Sequence, residues 1–116
     1  YCHCIAHGID DMAHGMQNQK MAVDTGQCIL YRFNPERAAQ GLNPLQLDSK
    51  APRKKVEEFL MMEGRFKMLR KINPAAARQL FEEAQQDVLR AWSRYEYLAS
   101  QKFSAAEPAA GEGGEA

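Results

Sequence analysis

"NPAAARQLFEEAQQDVLRAWSRYEYLASQKF", Asn73 to Phe103, decides the fold. Ala77, Leu80, Phe81, Ala84, Val88, Trp92, Tyr95 and Ala99 fall on one stripe with the 3.6-residue period of an amphipathic helix. Asn73 is placed to cap its start, and Pro74 occupies the first helical position, where a missing N–H is harmless. A helix from Pro74 to about Phe103 rises 1.5 Å per residue and spans about 45 Å. That exceeds the diameter of a small domain, so the helix is expected to run along a larger body.

Working back from it, Val56 to Ile72 carries Val56, Phe59, Leu60, Phe66 and Leu69 on one stripe and is predicted to be a second helix. Gly64 interrupts it and marks a bend or a close contact. Asn34 to Lys55 holds Pro35, Gly41, Pro44 and Pro52, with little periodicity. A structureless span of that length is unusual inside a compact domain, so it reads as an extended arm lying across another body. Within it, Pro35 to Ala39 suits a helical turn and "LQLD" a brief extended piece. "CILYRF", Cys28 to Phe33, is rich in β-formers and is followed by Asn34-Pro35, which predicts a short strand. Its continuous apolarity suggests burial on both faces, as in a parallel sheet. With no second convincing strand in the chain, its partners are expected outside this sequence.

Asp10 to Thr25 is predicted to be a further helix, capped by Asp10 or Asp11. Met12, Met16 and Val23 lie near one face, and Gly26 sits at the stop. The tail, residues 104–116, is Ala, Gly, Glu and Pro and is expected to be disordered. The expected organisation is therefore residues 1–33, 34–55, 56–103 and 104–116, mostly α with one short strand and a long extended arm. A strand without a sheet, and an arm and helix with nothing to lie on, point to a piece of a larger protein; a first residue other than Met agrees.

Composition narrows the function. Formal net charge is zero, so no strong field draws the chain to nucleic acid or a membrane surface. No apolar run approaches the roughly 18 residues of a transmembrane helix, and no signal peptide is visible. Three cysteines, two of them one residue apart, do not suit a secreted disulfide framework; a reducing, cytoplasmic setting is expected. No dinucleotide-binding or P-loop glycine motif, G-x-S-x-G or H-E-x-x-H occurs.

The ligand-bearing residues are Cys2, Cys4, His7, His14 and Cys28, most of them in "YCHCIAHG", Tyr1 to Gly8. Structural zinc sites pair cysteines across two to four residues and add a second pair. Cys2 and Cys4 are one residue apart and no second pair follows, so a self-contained zinc site is disfavoured. An iron–sulfur cluster needs four thiolates. This chain cannot supply a whole one but could supply one ligand to a shared one. Cys28 suits a buried apolar role. Arg53-Lys54-Lys55 reads as a solvated helix start or, less readily, a site for phosphate or an acidic partner. Trp92 and Tyr95 read as packing residues.

Several stretches together resemble one family. "YCHCIAHG", "LYRFNP" (Leu30–Pro35), "NPLQLDSKAP" (Asn43–Pro52), "RFKML" (Arg65–Leu69) and "RYEYLA" (ending at Ala99) are similar, in order, to segments near the C-terminus of pyruvate:ferredoxin (flavodoxin) oxidoreductases. The resemblance covers about residues 1 to 100. It implies an α/β parent domain that binds thiamin diphosphate and Mg2+, with this chain as its C-terminal end. It implies oxidation and decarboxylation of pyruvate with CoA to acetyl-CoA and CO2. Electrons would leave through three [4Fe-4S] clusters to ferredoxin or flavodoxin, in a homodimer. On this resemblance Cys4 is a ligand of the cluster nearest the thiamin cofactor; the other ligands, and the thiamin and Mg2+ sites, lie outside this chain. His3 and His7 would be neighbours of that site. Cys2, Cys28 and Gly64 depart from the pattern, standing where Ser, an aromatic and Asn are usual. The rival readings are a non-catalytic helical interaction module and a small zinc-binding protein.

Overall fold

The computed structural model describes residues 4–6 and 8–103. Cys2, His3, His7 and the tail 104–116 lie outside the described residues. After a short 3₁₀ turn at Met12–His14, the elements are α1 (Gly15–Asp24), β1 (Tyr31–Phe33), α2 (Glu36–Ala39), β2 (Leu45–Leu47), α3 (Val56–Leu60), α4 (Gly64–Ile72) and α5 (Pro74–Ser100).

α5 is the spine. The Asn73 side chain accepts from Ala76 N–H at 3.1 Å, and Pro74 opens the helix, as the sequence predicts. Ala77, Phe81 and Val88 are buried against Ala22, Val56, Phe59 and Leu60. Ala84, Trp92, Tyr95 and Ala99 are half-buried, while Leu80 on the same stripe is exposed. Burying a large apolar side chain contributes about 1.5–3 kcal/mol, so Phe59, Leu60 and Phe81 account for much of what holds α3 to α5. The start of α3 is also tied to the spine by a polar contact, since Val56 N–H donates to Gln85 Oε1 of α5 at 2.9 Å.

The expected helix over Val56–Ile72 is two helices. The chain breaks after Leu60, and Gly64 starts α4, its N–H bonded to the carbonyl of Gly8 at 2.6 Å. Gly64 is thus both the bend and the close contact.

The first helix also differs from expectation. Asp11 Oδ1 accepts from Ala13 N–H at 2.9 Å, but it caps the 3₁₀ turn. The buried face of α1 is Gly15, Asn18 and Ala22, whereas Met12 and Met16 are 55% and 78% exposed. Small residues three to four apart let α1 approach α3 closely, and this outweighs the pull of larger side chains on the other face. Gly26 ends the segment at φ 77°, as its C-terminal position predicts.

Two sheet expectations are corrected. The strand is only Tyr31–Phe33, it is exposed, and its partner lies within the chain: β1 pairs antiparallel with β2, Tyr31 opposite Leu47 and Phe33 opposite Leu45. Within the arm, the helical turn and the extended piece form where expected, as α2 and β2, and β2 is the return strand of this hairpin. Arg32 forks onto Asp48, with Nη2 and Nε at 2.7 and 2.9 Å from its carboxylate oxygens. Ser49 Oγ accepts from Leu30 N–H at 2.8 Å.

The hairpin is fastened to the spine by Asn43. Its Nδ2 donates toward the carbonyls of Leu98, Ala99 and Gln101 at 2.8, 3.0 and 3.0 Å, capping the end of α5. Its Oδ1 accepts from Leu45 N–H at 2.8 Å. Tyr31 and Tyr95 rings meet at 5.1 Å between centroids. Among the described residues, no helix is long and apolar enough to cross a membrane.

Candidate functional site

The candidate ligand Cys4 is exposed and opens a tight turn. Gly8 closes that turn, its N–H donating to the Cys4 carbonyl at 3.1 Å. A Cβ on Gly8 would stand 2.5 Å from the Cys4 oxygen, closer than any side chain tolerates, so glycine is required there by approach rather than by a left-handed φ.

From Gly8 the chain turns into the core. Ile9 is 2% exposed and bridges Glu63, itself 1% exposed, in an isolated antiparallel contact. The buried Glu63 carboxylate is met by Arg65, Nε to Oε2 at 2.6 Å, and the Arg65 guanidinium lies 4.9 Å from the centre of the Phe66 ring. Lys67 Nζ reaches Asp10 Oδ2 at 2.6 Å. The result is an exposed thiol on a turn whose far end is pinned to the α3–α4 junction.

Of the other candidate ligands, His14 and Cys28 fall among the described residues, and they form no metal-holding group with it. His14 is exposed and sits 3.6 Å from Asp11. Cys28 is half-buried against the core, its N–H bonded to the Ala22 carbonyl at 2.9 Å. Among the described residues no three His, Cys, Asp or Glu side chains come together as a metal site. Cys4 offers one exposed thiol, compatible with one of the four thiolate positions of a [4Fe-4S] cluster. The described donors do not fit a complete cluster or a complete zinc site built by these residues.

Arg53, Lys54 and Lys55 line an open groove of about 1450 Å³, with Arg70, Arg78 and Glu82 on its other walls. Its mixed signs and open shape give no enclosed pocket for a small molecule. Tyr95 is a packing residue against Tyr31, and loss of solvent together with the Tyr31 hydroxyl raises its phenol above the ordinary value.

The chain is 54% identical over 104 residues to the pyruvate-flavodoxin oxidoreductase of Trichormus variabilis, and 52% identical over 100 residues to that of a Nostoc species. These matches cover 90% and 86% of this chain. Over about nine-tenths of its length it is similar to pyruvate-flavodoxin oxidoreductases. The pyruvate:ferredoxin oxidoreductase of Moorella thermoacetica is 41% identical over 99 residues, 85% of this chain. The chain spans 8–9% of the length of these relatives. No family model matches it.

Three contacts that sequence reasoning missed lie in one of the stretches that carry the resemblance. Asn43, Asp48 and Ser49 of "NPLQLDSKAP" cap α5, pair Arg32 and hold Leu30. An Asn directly before Pro44 is a turn-forming signal and the available clue to Asn43. Nothing local marks Glu63 as buried.

Proposed function

We propose that this chain is the C-terminal part of an oxidoreductase that decarboxylates pyruvate with CoA to acetyl-CoA and CO2 and delivers the electrons to ferredoxin or flavodoxin. The observation that carries the reading is 54% identity over 90% of the chain to a protein of that name. The remaining polypeptide, a second copy of the same chain, and the thiamin diphosphate and Mg2+ sites complete the enzyme, which acts in the cytoplasm.

Cys4 would hold one iron of a [4Fe-4S] cluster, a group that accepts and passes on single electrons when bound. The chain's own work at that site is to hold a thiolate at a fixed place. Burial and backbone amides around such a ligand tune the potential of the group it holds. Here the Gly8 amide is committed to the Cys4 carbonyl, and the carbonyl of Gly8 to Gly64, so both backbone groups of Gly8 are used in holding the chain beside Cys4. Leu30, Phe33, Leu42 and Leu98 are exposed on the hairpin side. Covering them falls to the other nine-tenths of the polypeptide, so the interaction-module reading is absorbed into this one.

The test is Cys4→Ser in the full-length enzyme, with iron content and the EPR spectrum as readouts. One cluster is expected to be lost or altered and electron delivery to fall, while Cys2→Ser remains near wild type. Full iron content and an unchanged spectrum in Cys4→Ser would remove Cys4 from the ligand set.

A further inference from the structure

Two hydrogen bonds in series join Cys4 to the beginning of α4. The Cys4 carbonyl accepts from Gly8 N–H at 3.1 Å, and the Gly8 carbonyl accepts from Gly64 N–H at 2.6 Å. On either side of the second bond, the Ile9–Glu63 bridge is buried and Lys67 holds Asp10. Gly64 lies 56 positions after Gly8 in the chain, so nothing local imposes this contact. It exists because the α3–α4 break turns a helical N–H toward the Cys4 turn.

The first N–H groups of a helix have no partner within the helix. In α4 the first of them is used on Gly8. The Glu63 carboxylate, buried with Arg65 against it, holds that break in place, because a buried carboxylate separated from its partner is strongly unfavourable.

We propose that Gly64, held by Glu63, is a positioning residue for Cys4: its N–H fixes the turn that presents the thiolate. This rests on the reading of Cys4 as a cluster ligand. Groups that orient a metal ligand without touching the metal typically change metal affinity by about 10–100-fold when removed.

The position allows a narrow test. Gly64 is the first residue of α4, where proline is tolerated. Glu63 before it is extended, at φ −106° and ψ 132°, which is the conformation a following proline requires. Gly64→Pro therefore keeps the helix start, deletes the N–H that holds Gly8 and sets its Cδ where that hydrogen pointed, so the Gly8 carbonyl must move away. Gly64→Ala keeps the N–H, and its Cβ meets the Gly8 oxygen at an ordinary 3.5 Å.

Both variants and Cys4→Ser are made in the full-length enzyme. The rate of iron release to a chelator and the EPR line shape are measured beside thermal melting. Gly64→Pro is expected to release one cluster's iron about 10-fold faster and to shift its EPR signal, with Gly64→Ala at wild type. Wild-type release and spectrum in Gly64→Pro, while Cys4→Ser loses a cluster, would overturn the positioning role and leave Cys4 as ligand. A full set of clusters in Cys4→Ser would overturn both. If Gly64→Pro does not fold, Glu63→Gln decides, since it removes the charge paired with Arg65 at the break and leaves Cys4, Gly8 and the Gly64 N–H in place. A shifted signal in folded Glu63→Gln supports the proposal, and an unshifted one overturns it. Unfolding in both would make the contact purely structural, which also overturns it.

Discussion

Replacing Asn43 by Ala should release the hairpin from the end of α5. Its two amide hydrogens are shared among the carbonyls of Leu98, Ala99 and Gln101, and its Oδ1 holds Leu45 N–H. Three hydrogen bonds are therefore lost at most, each contributing about 0.5–1.5 kcal/mol net. The site is only partly buried and water can replace some of these contacts, so the lower half of the range applies, about 2 kcal/mol in all. At about 1.4 kcal/mol per tenfold, local opening becomes roughly 30-fold more frequent. Hydrogen exchange read by mass spectrometry on the intact polypeptide should show that acceleration over residues 31–34, 45–49 and 98–101, with α3 unchanged. Asn43→Asp separates the two sides of the clamp. It keeps an acceptor for Leu45 but sets a carboxylate against carbonyls at the negative end of a helix, so residues 98–101 should still be deprotected. Exchange within about threefold of wild type in Asn43→Ala would show that the hairpin is held by side-chain packing such as Tyr31 on Tyr95, and the reasoning would be refuted.

Gly26→Ala should destabilise the α1 end by more than the roughly 1–2 kcal/mol of a left-handed residue, because its Cβ would stand 2.6 Å from Pro52 Cγ and 2.9 Å from Val88 Cγ1. Faster exchange at residues 22–28 checks this. Phe81→Ala removes the edge contact to Phe66, whose ring lies 6.5 Å away at 77°, and should cost about 3–5 kcal/mol, seen as loss of protection across α3 and α4; Phe81→Leu should cost far less. The Arg32 hydrogen bond holds the Asp48 carboxyl below its ordinary value near 3.8. The pair therefore supports the hairpin at and above that ordinary value, and its support disappears as pH falls through the lowered one. An NMR titration of Asp48 should show this, and Arg32→Gln should return its midpoint upward to the ordinary range; an unmoved midpoint would mean the pair does not form in solution.

Long, strongly patterned features were legible in the sequence. The α5 stripe, its Asn73 cap and Pro74 start, the Gly26 stop and the Gly64 break all follow from rules that act within one or two helical turns. The hairpin was not. "LQL" is too short to show a period, and "CILYRF" looked buried because its apolar side chains are read without knowing which of them meet solvent. Phe33 is 62% exposed. The α1 face was misread for a related reason: side-chain size favours Met12 and Met16, but close approach to α3 favours Gly15, Asn18 and Ala22.

By itself the sequence determined the long helix α5 with its cap and start, the Gly26 stop and the Gly64 break, and its similarity pointed to pyruvate-flavodoxin oxidoreductases. Periodicity, capping and motif identity are properties of neighbouring residues, so one dimension holds them. Only the tertiary structure decided that the "arm" returns as β2 and clamps α5 through Asn43, and that Gly64 holds the turn carrying Cys4. The β1–β2 pairs lie a dozen or more positions apart and the Asn43 and Gly64 contacts more than fifty, and their energy depends on where packing brings each N–H and carbonyl.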